Sequence, residues 1–311
     1  MRASEMGEDA LIAAFAEIYR SRAGVLVGIG DDGAVVESTS ALQVVSTDMA
    51  TEGIHFNRAW SSALDVGAKI AIANLADIYA MGGIPKFLIV AISAPADEEV
   101  NYLLDLARGI ESVAREFNVS VVGGDLVAGG SLTISITAFG AVERPVLRSG
   151  AKVGDKVFLT RGVGKSLAGL LLLSKGLATP DSPDVRVFQR PDFNPQDLIE
   201  FGLDKANALM DVSDGLLSDL PKIAQASGVG INLTFGESEL SNLTALSEKV
   251  GISPLELFLR SGEEHSFIVL VGAERHSTLP KQWIMLGEVV AGSELTYHGK
   301  ELSLQSKSWH W

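Results

Sequence analysis

This sequence predicts a two-domain fold of mixed α/β sheets, on three observations. The chain of 311 residues is long for one hydrophobic core and comfortable for two. Strand-like and helix-like apolar patterns alternate in both halves, with no short repeat or low-complexity tract. Between them lies a turn-rich, basic connection, RPVLRSGAKVGD at 144–155, after which a new strand pattern starts. The domains are accordingly set at 1–148 and 149–311.

The elements follow in order. Asp9 to Arg20 predicts a helix, since Leu11, Ile12, Phe15, Ile18 and Tyr19 share one face. LQVVSTDM (42–49) and KFLIVAIS (86–93) predict strands. The segment between them at 63–83 predicts a helix, apolar almost all round and therefore buried, stopped by Gly82, Gly83 and Pro85. A helix from about Glu98 to Phe117 leads into VSVVGGDLV (119–127) and then SLTISITAFGAVE (131–143), whose alternation marks a half-buried strand. The second half runs through the strand KVFLT (156–160), a turn and helix over 162–175, a loop around 179–197 and the stretch 208–228. Strands near 231–235 and 266–271 follow, and a hairpin-like segment closes the chain from Trp283 to Leu304.

Composition excludes several classes of function. Hydrophobic residues at 47% rule out a disordered chain. A formal charge of -14 argues against a sequence-independent nucleic-acid surface, so a polyanionic partner has to arrive with cations. With no cysteine, there are no disulfides, thiolate nucleophiles or thiolate metal sites, and metal chemistry falls to oxygen and five histidines. No run of about 20 apolar residues and no signal-like start is present, so a cytoplasmic location away from membranes is expected.

The chemistry-bearing pattern is a set of aspartates beside small residues at the edges of apolar segments. IGDDGA carries Asp31 and Asp32, STDM carries Asp48, NLADIYAMGG carries Asp77, VVGGDL carries Asp125, and MDVSDG carries Asp211 and Asp214. Each alone reads as surface-exposed, or as a helix N-cap for Asp211 and Asp214. Capping does not account for Asp77, nor for Asn74 one turn before it. Burying unpaired carboxylates costs several kcal/mol each, so the set calls for counter-charge. Oxygen donors such as these, with Ser46 and Thr47 beside them, suit hard divalent ions, Mg²⁺ above all, and Mg²⁺ shares its shell with phosphate oxygens. No EF-hand spacing supports calcium storage. LTRGVGKSLAG (159–169) imitates a phosphate loop but has Leu159 where the pattern needs its first glycine. A tight turn opening a helix is the better reading, although its N–H groups favour an anion.

The motifs GIGDDGAVV, STDMATEGIHF, NLADIYAMGG, VVGGD, LRSGAKVGDKVFLT, DVSDGLLSDL and SGEE, in this order over most of the chain, resemble the thiamine-monophosphate kinase family. That resemblance implies a two-domain aminoimidazole ribonucleotide synthetase-like fold with a C-terminal α/β domain. The resemblance further implies that the N-terminal domains of a homodimer pair their strands as a β-barrel, with the nucleotide cleft nearby. It also implies transfer of the ATP γ-phosphoryl group to thiamine phosphate, giving thiamine diphosphate. By resemblance, Asp32, Ser46, Thr47, Asp48, Asp77, Asp125, Asp211 and Asp214 hold several Mg²⁺ ions, with Asp31 supporting Asp32 and K⁺ left open as a further cation. Gly124, Asp125, Arg148 and Ser213 meet ATP. His55, Glu263 and Trp311, with Trp309 as the alternative, meet thiamine phosphate. Where the family shows GGEDYE this chain has SGEEHS at 261–266, and Leu126 stands where Thr commonly follows GGD.

The acceptor is itself an ionised phosphate, so direct in-line attack needs no covalent nucleophile and no strong base. Two cysteine-dependent relatives, selenophosphate synthetase and the hydrogenase-maturation dehydratase, are excluded by composition. An aminoimidazole ribonucleotide synthetase-like ligase and a catalytically silent nucleotide or thiamine-phosphate binder remain as alternatives.

Overall fold

The computed structural model describes residues 1–29, 33–38, 40–302 and 304, with the side chains of 276–278 left aside. Two compact units emerge, one of residues 1–78 and 83–143, the other of 79–82 and 144–311. Among the described residues, no helix is long and apolar enough to cross a membrane.

The first unit contains a small ribbon, β1 (Val25–Val27) with β2 (Val35–Val36), and a four-stranded sheet. Its strands are β3 (Leu42–Thr51), β4 (Ile84–Ala94), β5 (Ser120–Ala128) and β6 (Thr133–Val142), ordered β3-β6-β4-β5. Only β4 and β5 run parallel. In β6 every second residue is buried, as its alternation predicts. The sheet is open among the described residues: no strand closes it into a barrel within one chain.

The helix Ala63–Ala80 starts at Ser62, whose hydroxyl accepts the Asp65 amide and donates to the Asp65 carboxylate. It stops at Gly82, where φ is +76°. It packs on the helix Val100–Glu116 backbone against backbone. A Cβ at Gly67 would stand 2.0 Å from the Leu106 carbonyl oxygen, and one at Gly109 would stand 2.1 Å from that of Leu64. The helix Glu8–Ile18 buries Leu11 and Phe15 and ends two residues before the expected Arg20.

The second unit is built on a seven-stranded sheet. Its strands are β7 (Lys156–Leu159), β8 (Ala208–Asp211), β9 (Gly230–Leu233), β10 (Phe267–Val271), β11 (Ile284–Val290), β12 (Leu295–Tyr297) and β13 (Lys300–Glu301). The order is β13-β12-β9-β11-β7-β10-β8. Strand β10 is buried throughout, as an apolar strand covered on both faces must be. The closing segment differs from the expected hairpin: β12 and β13 form one, but β9 lies between β11 and β12 and pairs with β12 in parallel. Asn232 accounts for this, since its Oδ1 accepts both the Thr296 hydroxyl and the Gly299 amide, each at 2.9 Å.

Candidate active site

In the first unit, strand β3 and the helix Ala63–Ala80 bring four of the sequence-selected residues together. Ser46 Oγ donates to Asp77 Oδ2 at 2.5 Å. The Asp48 amide donates to Asn74 Oδ1 at 3.2 Å, and Asn74 returns its amide to the Ile70 carbonyl at 2.9 Å. Asn74, fully buried, thus ties the strand to the helix at the level where Asp48 and Asp77 are half-buried. Thr47 points to the other face, donating to the Ile136 carbonyl and accepting from Thr137.

Asp125 does not join this group within one chain. The register aligns Asp48 with Ile136, Val90 and Gly124 in one row, and Met49 with Ser135, Ala91 and Asp125 in the next. Adjacent rows face opposite ways, so Asp48 lies on the helix-covered face and Asp125 on the open one. Three strand spacings, about 14 Å, separate β3 from β5. That open face exposes Val45, Met49, Ile89 and Val127.

His55 sits in the turn after β3. Its Nδ1 accepts the Thr51 amide at 3.1 Å, which leaves the ring proton of neutral imidazole on Nε2. Nearby, Arg58 grips Glu52 with two nitrogens at 2.7 and 2.8 Å and Glu98 at 2.8 and 2.5 Å, and lies 4.1 Å over the Tyr102 ring. Its hydrogen bonds hold the Glu98 carboxyl below the ordinary range despite burial.

In the second unit, the two motifs DVSDG and SGEEHS form one hydrogen-bonded structure. Past the paired ends of β8 and β10, the Val212 amide donates to Ser266, His265 to Val212, and Glu263 to Ser213. Glu263 and His265 adopt φ of +59° and +53°, a left-handed conformation that side chains seldom take. Asp211, buried, meets His265 Nδ1 at 3.0 Å. Gly215 has φ +95° and lies where a Cβ would come 2.8 Å from the Arg260 backbone, so this junction admits only glycine. Arg148 is exposed and its carbonyl is anchored by the Ser227 hydroxyl at 2.7 Å.

Asp219 is the residue the sequence reading missed. Its Oδ2 accepts the amides of Ser213 and Asp214, both at 3.0 Å, and its Oδ1 meets Lys222 Nζ at 2.8 Å. Lys222 also reaches Asp214 Oδ2 at 2.7 Å. Burial pushes the Asp219 carboxyl up to about 6 against the pull of Lys222. Asp211 and Asp214 are therefore not N-caps: Gly215 holds that position without a side-chain bond.

Glu264, another departure from the family segment, fills the phosphate-loop imitation. Its buried Oε1 accepts the Gly164 amide at 2.6 Å, the Ser166 amide at 3.1 Å and the Ser261 hydroxyl at 2.7 Å. The acceptor that the free N–H groups of this turn call for is thus supplied by the chain itself. Burial raises the Glu264 carboxyl above its usual range.

Asp31, Asp32, Trp309 and Trp311 lie outside the described residues. Among those described, no three His, Asp or Glu side chains close on one metal position. The donors of the first unit nevertheless suit Mg²⁺: hydroxyl and carboxylate oxygens with no sulfur, for an ion that keeps waters and phosphate oxygens in its shell. Asp214 differs from them, since its Oδ2 already meets the Lys222 ammonium at 2.7 Å.

Comparison with known proteins fits this layout. The family "AIR synthase related protein, N-terminal domain" matches residues 30–142, and its C-terminal counterpart matches 152–300. The thiamine-monophosphate kinase of Mycobacterium tuberculosis is 36% identical over 93% of this chain and 86% of its own length. That of Aquifex aeolicus is 34% identical over 99% of both. The solved structure of AaThiL complexed with AMPPCP and TMP superposes with a TM-score of 0.78 at 32% identity, covering 99% of this chain and 98% of that one. On these grounds the chain belongs to the thiamine-monophosphate kinase family.

Proposed function

We propose that this chain transfers the γ-phosphoryl group of ATP to thiamine phosphate, giving thiamine diphosphate, by direct in-line attack. The observation that carries this reading is the Ser46–Asp77 contact with Asp48 secured beside it by Asn74, in a chain of this family.

Ser46, Asp48 and Asp77 would hold ions on the helix-covered face of the first unit, Thr47 and Asp125 would do so on its open face and Asp211 on the second unit, with Asp32 completing the set and K⁺ as a further cation. Bound there, Mg²⁺ neutralises the charge that spreads over the transferred oxygens. Gly124, Asp125, Arg148 and Ser213 take the nucleotide, Arg148 by its exposed guanidinium. His55 offers the Nε2 proton to the acceptor phosphate, Glu263 meets the amino-bearing part of thiamine phosphate, and Trp311 stacks on a ring. No side chain has to remove a proton, because the acceptor oxygen is already ionised near neutral pH.

Two copies would pair through the open sheet face, where Val45, Met49 and Val127 are 51–58% exposed. This joins the two open sheets as a β-barrel and places Asp125 near the junction.

Steady-state turnover with ATP, Mg²⁺ and thiamine phosphate tests the activity: thiamine diphosphate is expected, and binding of both substrates without turnover favours the silent binder. Chemical quench tests the route, since an acid-labile, kinetically competent phosphoenzyme would exclude direct transfer.

A further inference from the structure

The ion pair at Asp214 goes beyond this reading, on which it rests. Lys222 Nζ lies 2.7 Å from Asp214 Oδ2 and 2.8 Å from Asp219 Oδ1. Asp219 has a fully buried side chain, and its second oxygen receives the amides of Ser213 and Asp214. One carboxylate thus fixes the backbone that carries Asp214 and tethers the ammonium that meets its side chain. Lys222 follows Asp219 by three residues on the helix Leu216–Ser227, so the fold itself places the cation.

We propose that the Lys222 ammonium is the resident cation of Asp214 and stands in for a divalent ion, so that Asp214 binds no Mg²⁺ when ATP is bound. A divalent ion there would share its carboxylate with a fixed positive charge and be repelled by it. The number of ions at this site is then one lower than the aspartates alone imply.

Counting bound Mn²⁺ in the full chain saturated with AMPPCP tests this, by the electron paramagnetic resonance of free Mn²⁺ and by calorimetry. Asp214→Asn is expected to bind as many Mn²⁺ as the unaltered chain, Lys222→Arg likewise, and Lys222→Met one more. Loss of one ion in Asp214→Asn overturns the proposal and leaves the kinase reading standing, as does an unchanged count in folded Lys222→Met. Binding of no Mn²⁺ by any variant overturns both. Should Lys222→Met fail to fold, the half-buried Asp214→Asn still decides.

Discussion

The Glu264 carboxylate accepts the Gly164 amide at 2.6 Å, so the start of the helix Lys165–Ser174 is held by an acid about a hundred residues away in sequence. Replacement of Glu264 by alanine leaves the Gly164 and Ser166 amides and the Ser261 hydroxyl without this acceptor. A loss of about 3 kcal/mol or more is expected in denaturant unfolding. Glutamine keeps an acceptor oxygen in place and should cost clearly less; equal losses would show that charge, not acceptance, holds the turn.

Asp219 makes stability depend on pH. Its folded-state pKa of about 6 lies above the ordinary value near 4, so the folded chain binds more protons than the unfolded one across that window. Its contribution is fully present below about pH 4 and is lost as pH rises through 6. Asp219→Asn removes this dependence. Chemical denaturation of both proteins from pH 4 to pH 7 should show the gap between them shifting in favour of the variant as pH rises.

Asp77 and Ser46 should separate in kinetics. Asp77→Asn removes charge from the proposed ion site and is expected to lower kcat on the order of a hundredfold or more. Ser46→Ala removes one neutral ligand, which also orients Asp77, and leaves the carboxylates in place, with an expected loss of about tenfold that rising Mg²⁺ partly restores. A Ser46→Ala loss as large as that of Asp77→Asn would show that the hydroxyl matters to the ion site as much as the charge does.

The open sheet face predicts assembly. Val45→Glu combined with Met49→Glu places charge on two residues exposed by 55% and 58%, and should convert a dimer to monomer in size-exclusion chromatography with light scattering. Persistence of the dimer would move the interface elsewhere.

Much of this was legible because period and chemistry coincide. Alternation over 42–51 puts Ser46 and Asp48 on one face and Thr47 on the other, and the buried character of the helix Ala63–Ala80 follows from its apolar sequence. The turn at His298 and Gly299, both at positive φ, joins β12 to β13 as local rules require. Insertion of β9 beside β12 rests instead on Asn232, more than 60 residues away, which local pattern does not reveal. Asp219 was missed although a signal existed: it lies at i+3 from Leu216 and four before Ile223, an acid inside the buried stripe of its helix. Its partners are amides five and six residues back, which no spacing rule singles out. Glu264 was read as a departure from the family segment and proved to be the acceptor for the amides of the adjacent turn.

The glycine pair between the helices Ala63–Ala80 and Val100–Glu116 leaves no slack for adjustment. Gly67 precedes Asp77 by ten positions, about 15 Å along the helix axis. Even a methyl group at Gly67 must lever the helices apart and swing the acid away from Ser46. Tolerance to mutation in this chain is thus set partly at places that touch no ligand, and a saturation library should be depleted at Gly67 and Gly109 as sharply as at the carboxylates themselves.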